Sequence, residues 1–171
     1  MKILKHVDGN LLTNEDVVVI GHQANCQNTF GSGIALSIKE LFPEAYRADC
    51  TAKISKLNTL GRVSYSNIAL GLDGTNRLGT KLSRIYNLYG QNLGTDYTKK
   101  FDRKTNYEAL YCALEEMACQ LRDKDGVEPV VGFPYKMGSD RGGGDWNIVE
   151  RLIESAFKDY DSDVLIVHFK S

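Results

Sequence analysis

The sequence predicts an α/β domain in which helices cover both faces of a largely parallel sheet. Short runs of β-branched and aromatic residues alternate along the chain with longer segments whose apolar residues recur at the period of a helix. This alternation is typical of layered α/β proteins, because a helix between two strands lets those strands lie parallel in one sheet. The length of 171 residues suits a single domain with one hydrophobic core.

The N-terminal half contains three predicted strands and one predicted helix. Val17–Ile20 is a β-branched run typical of a strand buried on both faces, and Gly21 is expected to end it. From Gly33 onward, apolar residues at helical spacing predict a helix that Pro43 terminates. Two further strands, separated by a glycine-containing turn, are predicted at residues 62–70 and 84–89.

The C-terminal half continues the alternation. Residues 106–122 place most of their apolar side chains on one face, which predicts an amphipathic helix of about four turns. The apolar runs at 129–134 and 163–169 predict two more strands. Asp145 is expected to cap the helix between them through its side-chain oxygen, and Trp146 begins the apolar face of that helix.

Composition and charge argue against several classes of protein. Hydrophobic residues make up 42% and charged residues 25%, which excludes a disordered, collagen-like or membrane-spanning chain. The formal net charge of −1 offers no strong field for holding DNA. The four cysteines form no CxxC pair and only three histidines are present, so no metal site is predicted. Without the apolar stretch of a signal peptide at the start, we expect a cytoplasmic protein, and a monomer.

Two polar, glycine-bearing segments each follow a predicted strand and precede a predicted helix. They are residues 21–33 (GHQANCQNTFGSG) and 135–145 (YKMGSDRGGGD). Backbone N–H groups at a helix N-terminus attract anions, and glycine lets the main chain approach a ligand closely. Glycines that serve only tight turns are the alternative. Two such segments in one small α/β domain favour a phosphate or diphosphate site.

The common nucleotide and hydrolase motifs are missing from both segments. The chain has no GxxxxGK[ST] sequence, no GxGxxG spacing and no GxSxG sequence, which disfavours a Walker-type ATPase, a dinucleotide dehydrogenase and an α/β-hydrolase. The first segment instead concentrates amides and an imidazole, which suit recognition of sugar hydroxyls. His22 in this segment could transfer protons near neutral pH, or it could be a hydrogen-bonded structural imidazole.

Five ordered segments together resemble the macro domain family. They are residues 8–12 (DGNLL), 17–43 (VVVIGHQANCQNTFGSGIALSIKELFP), 85–91 (IYNLYGQ), 105–117 (TNYEALYCALEEM) and 133–146 (FPYKMGSDRGGGDW). Within that family the chain is most similar to the small ADP-ribose-1''-phosphate phosphatases of bacteria, phages and yeast. The resemblance implies a three-layer α/β/α sandwich with a mixed, largely parallel central sheet, formed by a single macro domain over residues 1–171. It also implies that ADP-ribose lies across the two glycine-bearing segments.

The resemblance assigns ligand contacts to individual residues. Asn10 matches an aspartate that reads the adenine amino group, and its amide oxygen could accept the same hydrogen bond. Asn25 matches an asparagine that faces the distal ribose. The implied ligand-binding residues are Gly9, Asn10, Leu11, Gln23, Asn25, Gly31, Ser32, Gly33, Ile34, Gln91, Met137, Gly138, Ser139, Arg141, Gly142, Gly143 and Gly144.

The chain departs from the family pattern at two places. In the second segment Ser139, Asp140 and Arg141 replace a cysteine, a glycine and a leucine. Arg141 could pair with a phosphate and Asp140 with a ribose hydroxyl or the attacking water, or the two could form an exposed ion pair. Gln91 stands where the related ADP-ribose-protein glycohydrolases have a lysine nucleophile. An amide cannot form a Schiff base, which counts against that mechanism.

The resemblance therefore implies a hydrolase of ADP-ribose-1''-phosphate, or of a closely related ADP-ribose derivative, that needs neither metal nor cofactor. His22 is the preferred general acid or base, with Asp140 and Asp145 as weaker candidates, and Asp145 has the alternative role of helix cap. One alternative function is a reader or sponge that binds ADP-ribose without turnover. Another is a hydrolase that removes ADP-ribose from modified macromolecules. Neither a membrane nor a nucleic acid is expected as a partner.

Overall fold

Six strands form one mixed sheet in the computed structural model of the chain, which describes residues 3–25, 33–52, 59–91, 104–122, 127–139 and 142–170. The strand order is β1-β6-β5-β2-β4-β3. The strands are β1 (Lys5–Gly9), β2 (Val19–Asn25), β3 (Val63–Asn67), β4 (Arg84–Gln91), β5 (Val131–Pro134) and β6 (Val164–Phe169). Strands β3 and β4 are antiparallel and the other neighbouring pairs are parallel, which confirms the mixed, largely parallel sheet that the resemblance implies.

Four α-helices cover the two faces of this sheet and complete a three-layer sandwich. They are α1 (Gly33–Leu41), α2 (Pro43–Ala52), α3 (Tyr107–Arg122) and α4 (Trp146–Ala156), and a short 3₁₀ helix spans Leu11–Thr13. Side chains that alternate along each strand enter two separate apolar cores. Val19 packs in the core with α3 and α4, whereas Ile20 packs in the core with α1 and α2. This arrangement confirms the predicted α/β/α layers.

Helix α2 and strand β1 are two of the elements that differ from the expectation from sequence. Pro43 does end α1, but it also begins α2, because proline is well suited to the first position of a helix, where its missing N–H is not needed. Strand β1 was not predicted, since its sequence KHVDG is mostly polar. It lies at the edge of the sheet and pairs only with β6, so several of its side chains face solvent.

The corner between α1 and α2 is fixed by an arginine from the turn between β3 and β4. The guanidinium of Arg77 donates hydrogen bonds to the Leu41 carbonyl and to both carboxylate oxygens of Glu44, at 2.8 and 3.2 Å for the latter. This hydrogen bonding lowers the pKa of the Glu44 carboxyl. The pair therefore contributes stability above the pKa of the unfolded carboxyl and loses it as the pH falls through the lowered pKa. Because both side chains are partly exposed, that contribution is modest.

Gly21 lies inside β2 and does not end it as expected. A Cβ at this position would lie 2.5 Å from Cε1 of Phe133 and 3.1 Å from Sδ of Met117. The glycine is therefore required because side chains from β5 and α3 pack directly on the backbone of β2. The strand continues to Asn25, so the first five residues of the predicted loop are extended.

In the part of the chain that the structure describes, none of the helices is long and apolar enough to cross a membrane.

Replacing Gly21 with alanine is expected to lower the free energy of unfolding by about 1–3 kcal/mol, because the new methyl group overlaps the Phe133 ring. The matched control is Gly71→Ala on the exposed turn, where a Cβ lies 3.3 Å from the side chain of Asp73 and the expected change is within about 0.5 kcal/mol. Denaturant unfolding of both variants measures the difference. Equal stabilities would contradict the packing described here.

Candidate ligand-binding site

A cavity of about 1010 Å³ opens at the carboxyl edge of the parallel strands, the position where open α/β sheets bind ligands. The ends of β2, β4, β5 and β6 contribute Gln23, Gln91, Pro134 and Phe169 to its wall. The wall also includes the N-terminal turn of α1, the segment around the 3₁₀ helix and the loop after β5. Two of these regions belong to the glycine-bearing segments singled out in the sequence.

The structure brings many of the expected ligand-binding residues to this wall. Those that line it are Asn10, Leu11, Gln23, Gly33, Ile34, Gln91, Met137, Gly138 and Gly142. Those that are described but do not line it are Gly9, Asn25, Ser139, Gly143 and Gly144. The remaining three, Gly31, Ser32 and Arg141, lie outside the described residues.

The N-terminus of α1 faces the cavity through Gly33. This glycine has a φ of +60°, and a Cβ there would meet none of the described atoms within 4 Å. Gly33, Ile34 and Ser37 all line the cavity. The unpaired N–H groups and the positive end of the helix dipole favour an anion at this position.

A chain of hydrogen bonds through Thr105 joins strands β2 and β4 to the loop after β5. The Gly138 carbonyl can only accept, so the hydroxyl of Thr105 donates to it at 2.6 Å. The same hydroxyl accepts from Nε2 of Gln23 at 2.9 Å, and Nε2 also donates to Oε1 of Gln91 at 3.0 Å. The orientation of the Gln23 amide is thus fixed, and its Oε1 is buried without a hydrogen-bond partner. This network holds the loop after β5 against β2 and β4.

The glycines of that loop make room for protein atoms. A Cβ at Gly142 would lie 2.4 Å from Oγ1 of Thr105, and a Cβ at Gly144 would lie 2.8 Å from the Gly138 carbonyl oxygen. The N–H of Gly144 donates to the same carbonyl at 2.9 Å. For Gly142 and Gly144 the structure therefore supports the turn-forming role, because their missing side chains let the loop fold back on itself.

His22 does not lie on the cavity wall. It is completely buried, and its Nε2 is 2.7 Å from Oδ1 of Asn87 in the neighbouring strand β4. Nδ2 of Asn87 donates to the Ala45 carbonyl and to Ser64, so Oδ1 is the acceptor and Nε2 of His22 carries the proton. Successive side chains of a strand point to opposite faces, so Gln23 reaches the cavity and His22 does not. The geometry supports the structural imidazole that the sequence left as an alternative.

Asp145, the other described candidate for catalysis, acts as a helix cap. Its side chain accepts a hydrogen bond from the Asn147 N–H at 2.9 Å and begins α4. It is exposed and does not line the cavity. Asp140 lies outside the described residues, and neither of the two described candidates, His22 and Asp145, lines the cavity.

Several wall residues were not expected from the sequence. They are Leu12, Ala35, Ser37, Leu41, Pro134, Tyr135, Lys136, Val167 and Phe169. Tyr135 and Lys136 directly follow β5, and Phe169 ends β6, so a search for every residue at a strand's carboxyl end would have found them. Tyr135 and Lys136 are also the titratable side chains among the described wall residues.

The opposite end of the cavity is mainly apolar. Leu11, Val167 and Phe169 line it, and Gly9 of β1 is in register with Phe169 of β6. Asn10 adds an amide here, but its Oδ1 accepts a hydrogen bond from the Leu12 N–H at 2.9 Å and caps the 3₁₀ helix. This contact competes with the expected role of that oxygen in reading an adenine amino group.

Across the described ranges, no group of three or more histidine, cysteine, aspartate or glutamate side chains is arranged to hold a metal ion.

Comparison with known sequences finds two informative relatives, and no family model matches the chain. An uncharacterized 17.5 kDa protein from the tk-vs intergenic region of Enterobacteria phage T4 is 28% identical over 170 residues, which cover 96% of this chain and 94% of the phage protein. An ADP-ribose 1''-phosphate phosphatase from Ajellomyces capsulatus is 38% identical over 47 residues. That match covers 28% of this chain and only 18% of the fungal protein.

Comparison with solved structures gives matches over nearly the whole chain. A protein of unknown function from Bacteroides thetaiotaomicron has a TM-score of 0.78 at 22% identity, covering 98% of both chains. The macrodomain of Mycobacterium tuberculosis DarG has a TM-score of 0.73 at 22% identity, covering 99% of both chains. Thermosipho africanus DarTG, solved in complex with ADP-ribose, has a TM-score of 0.68 at 16% identity, covering 91% of this chain and 38% of its own. The three-layer architecture and these matches show that the chain has the macrodomain fold.

Proposed function

We propose that this chain binds ADP-ribose, or a closely related ADP-ribose derivative, in the cavity at the carboxyl edge of its sheet. The observation that carries the proposal is the pairing of two glycine-bearing backbone segments on one cavity wall, one at Gly33 and the other at Gly138 and Gly142. The binding unit is the single domain over residues 1–171 acting as a monomer.

The two ends of the cavity suit the two ends of a dinucleotide. The N-terminus of α1 at Gly33 offers backbone donors to an anionic diphosphate, and Lys136 adds a positive charge to the wall. The amides of Gln23 and Gln91 lie on the same wall and suit ribose hydroxyls. The apolar end beside Phe169 suits a planar base. The complex of Thermosipho africanus DarTG with ADP-ribose, on the same fold, supports this proposal.

A second candidate function is hydrolysis of ADP-ribose-1''-phosphate. It is favoured by the 47-residue similarity to the phosphatase from Ajellomyces capsulatus. In this reaction water attacks the phosphorus, the bond to the ribose oxygen breaks, and ADP-ribose and inorganic phosphate are released. We propose Asp140 as the base that takes the proton from water, with the loop N–H groups and Arg141 stabilising the phosphoryl oxygens. Without turnover the protein acts as an ADP-ribose reader, and activity on modified macromolecules would make it an ADP-ribosyl hydrolase.

Titration calorimetry is expected to show one ADP-ribose bound per chain, with an affinity at least about tenfold higher than that for AMP, a difference of about 1.4 kcal/mol. The reason is that AMP lacks the second phosphate and the distal ribose, which the two glycine-bearing segments would contact. Equal affinities for the two nucleotides would contradict the two-segment site.

Replacing Gly33 with glutamate is expected to abolish ADP-ribose binding, because the side chain places bulk and negative charge at the N-terminus of α1. The matched control is Gly74→Glu in the turn between β3 and β4. Gly74 also has a positive φ, of +78°, and a Cβ there would likewise meet nothing within 4 Å, but it does not line the cavity. The control should bind normally, so loss of binding in both variants would show that the substitution acts through folding or charge.

Turnover of ADP-ribose-1''-phosphate, followed as released phosphate, is expected to fall by about 100-fold or more in Asp140→Asn while ADP-ribose affinity changes little. EDTA should leave the wild-type rate unchanged. A wild-type protein that binds ADP-ribose but releases no phosphate would identify the reader function. Activity lost to EDTA and restored by a divalent cation would contradict the metal-free mechanism.

Replacing His22 with alanine is expected to lower the free energy of unfolding by about 1–3 kcal/mol, because it leaves the buried Oδ1 of Asn87 without its donor. ADP-ribose affinity and any turnover should stay near wild type, since His22 does not line the cavity. The matched control, His6→Ala on the edge strand β1, removes a partly exposed imidazole and should cost less. A 100-fold loss of turnover without loss of stability in His22→Ala would return His22 to the mechanism.

A further inference from the structure

Two hydrogen-bonded histidines, His6 on β1 and His168 on β6, lie directly behind the cavity wall. Nδ1 of His6 is 2.7 Å from Nε2 of His168. The residues on either side of His168 in the chain, Val167 and Phe169, both line the cavity. Tyr135 also lines it, and its ring stacks on the His168 ring with 3.8 Å between centroids and 17° between planes. This histidine pair is therefore attached to the wall both through the chain and through a ring contact.

A carboxylate at the far end of the histidine pair fixes where its protons lie. Nε2 of His6 is 2.5 Å from Oε1 of Glu150 on α4. An ionised carboxylate can only accept, so Nε2 of His6 carries a proton. When His6 is neutral, its Nδ1 carries none, and Nε2 of His168 donates to it. In this state Nδ1 of His168 carries no proton.

The histidine pair can take up one further proton without losing a hydrogen bond. A proton added at Nδ1 of His168 makes that ring an imidazolium, and the proton between the rings can then pass to Nδ1 of His6. The contacts favour this state, because Glu150 accepts from His6 and the Tyr135 face lies over His168. A second added proton would place an N–H on both sides of the 2.7 Å contact and break it.

The first added proton removes a net negative charge from behind the wall. With both imidazoles neutral, Glu150 gives the cluster a net negative charge, and with the added proton the cluster is neutral. The side chains of His6 and Glu150 are 39% and 24% exposed, so solvent screens these charges only in part. The elements around the pair carry further charges of both signs, namely Asp8 on β1, Lys136 after β5, Asp145 and Glu154 on α4, and Lys170 after β6. All of these except Glu154 are exposed, and Asp8 is in register with His168.

We propose that binding of an anionic ligand in the cavity is coupled to protonation of the histidine pair. This inference rests on the proposed function, in which the diphosphate of ADP-ribose occupies the cavity. The negative charge of Glu150 opposes a diphosphate while the pair is neutral, and the added proton cancels this repulsion. A ligand that binds the protonated form more tightly also draws a proton onto the pair, since linkage is reciprocal. The affinity therefore rises as the pH falls through the range in which histidine changes its charge.

Titration calorimetry with ADP-ribose is the test, because each phosphate of this ligand has a single, strongly acidic hydroxyl and does not titrate near neutral pH. The affinity should be about fivefold higher at about pH 5.5 than at about pH 8. Between these limits, two buffers of different ionisation enthalpy should reveal an uptake of up to about 0.4 proton per ADP-ribose, the maximum that a fivefold linkage allows. Equal affinities at the two pH values, with equal enthalpies in the two buffers, would overturn the inference.

The double variant His6→Phe/His168→Phe keeps a planar ring at both positions and removes both proton sites. It should bind ADP-ribose at about pH 8 nearly as wild type does, without proton uptake and without the rise in affinity at lower pH. His22 remains in this variant as the third histidine of the chain. A pH dependence that persists in the double variant would assign the proton to another group and overturn the inference.

Glu150→Gln decides the same question if the double variant does not fold. The new amide oxygen still accepts from His6, but the negative charge is gone, so the affinity at about pH 8 should rise about fivefold. The matched control is Glu154→Gln, which removes the same charge one turn further along α4, away from the contact with His6. This control should keep nearly the wild-type affinity and its pH dependence. Equal affinities of the two variants at about pH 8 would contradict the role of Glu150.

These outcomes separate the inference from the function on which it rests. A chain that binds ADP-ribose without proton uptake overturns the inference and leaves the proposed function standing. A chain that binds no ADP-ribose at either pH overturns both.

Discussion

The shape of the cavity depends on one buried residue, Thr105, which precedes α3. Its hydroxyl accepts from Gln23 and donates to the Gly138 carbonyl, while its backbone N–H donates to the Gly142 carbonyl at 2.9 Å. A buried hydroxyl with both its donor and its acceptor capacity used is well suited to fix the distance between two chain segments. The loop after β5 is thereby attached to β2 and to the start of α3. The glycines at 138, 142 and 144 are required because this attachment brings backbone and side chain too close for any Cβ.

The alternation of side chains along β2 separates a structural polar cluster from the cavity. On the side facing α2, His22 donates to Asn87, and Asn87 donates in turn to Ala45 and Ser64, so these polar groups form a hydrogen-bonded network inside the core. On the opposite side, one residue further along, Gln23 reaches the cavity wall. An imidazole and an amide that are neighbours in sequence therefore serve different purposes. The described wall is in consequence rich in amides, backbone donors and apolar groups, which suits binding and orientation of a ligand.

Asn10, at the other end of the cavity, also has a structural role, because its side chain caps the 3₁₀ helix. From sequence, an asparagine offers both a donor and an acceptor, and either could face a ligand. The N–H of Leu12 donates to Oδ1, and this helix cap fixes the orientation of the amide. The helix cap thus orients a side chain that also lines the cavity.

The sequence by itself determined the α/β class, the largely parallel sheet and most of its elements, because hydrophobic periodicity and capping residues such as Asp145 are local properties. It also located the two glycine-bearing segments, since glycine clusters after apolar strands are visible in the chain. Tertiary structure alone decided that β1 joins the sheet as an edge strand and that Gly21 lies within β2, because both depend on contacts with distant β6, Phe133 and Met117. It also decided that His22 turns away from the cavity and that Oδ1 of Asn10 caps the 3₁₀ helix, because strand register and hydrogen-bond direction are fixed only when the elements pack together.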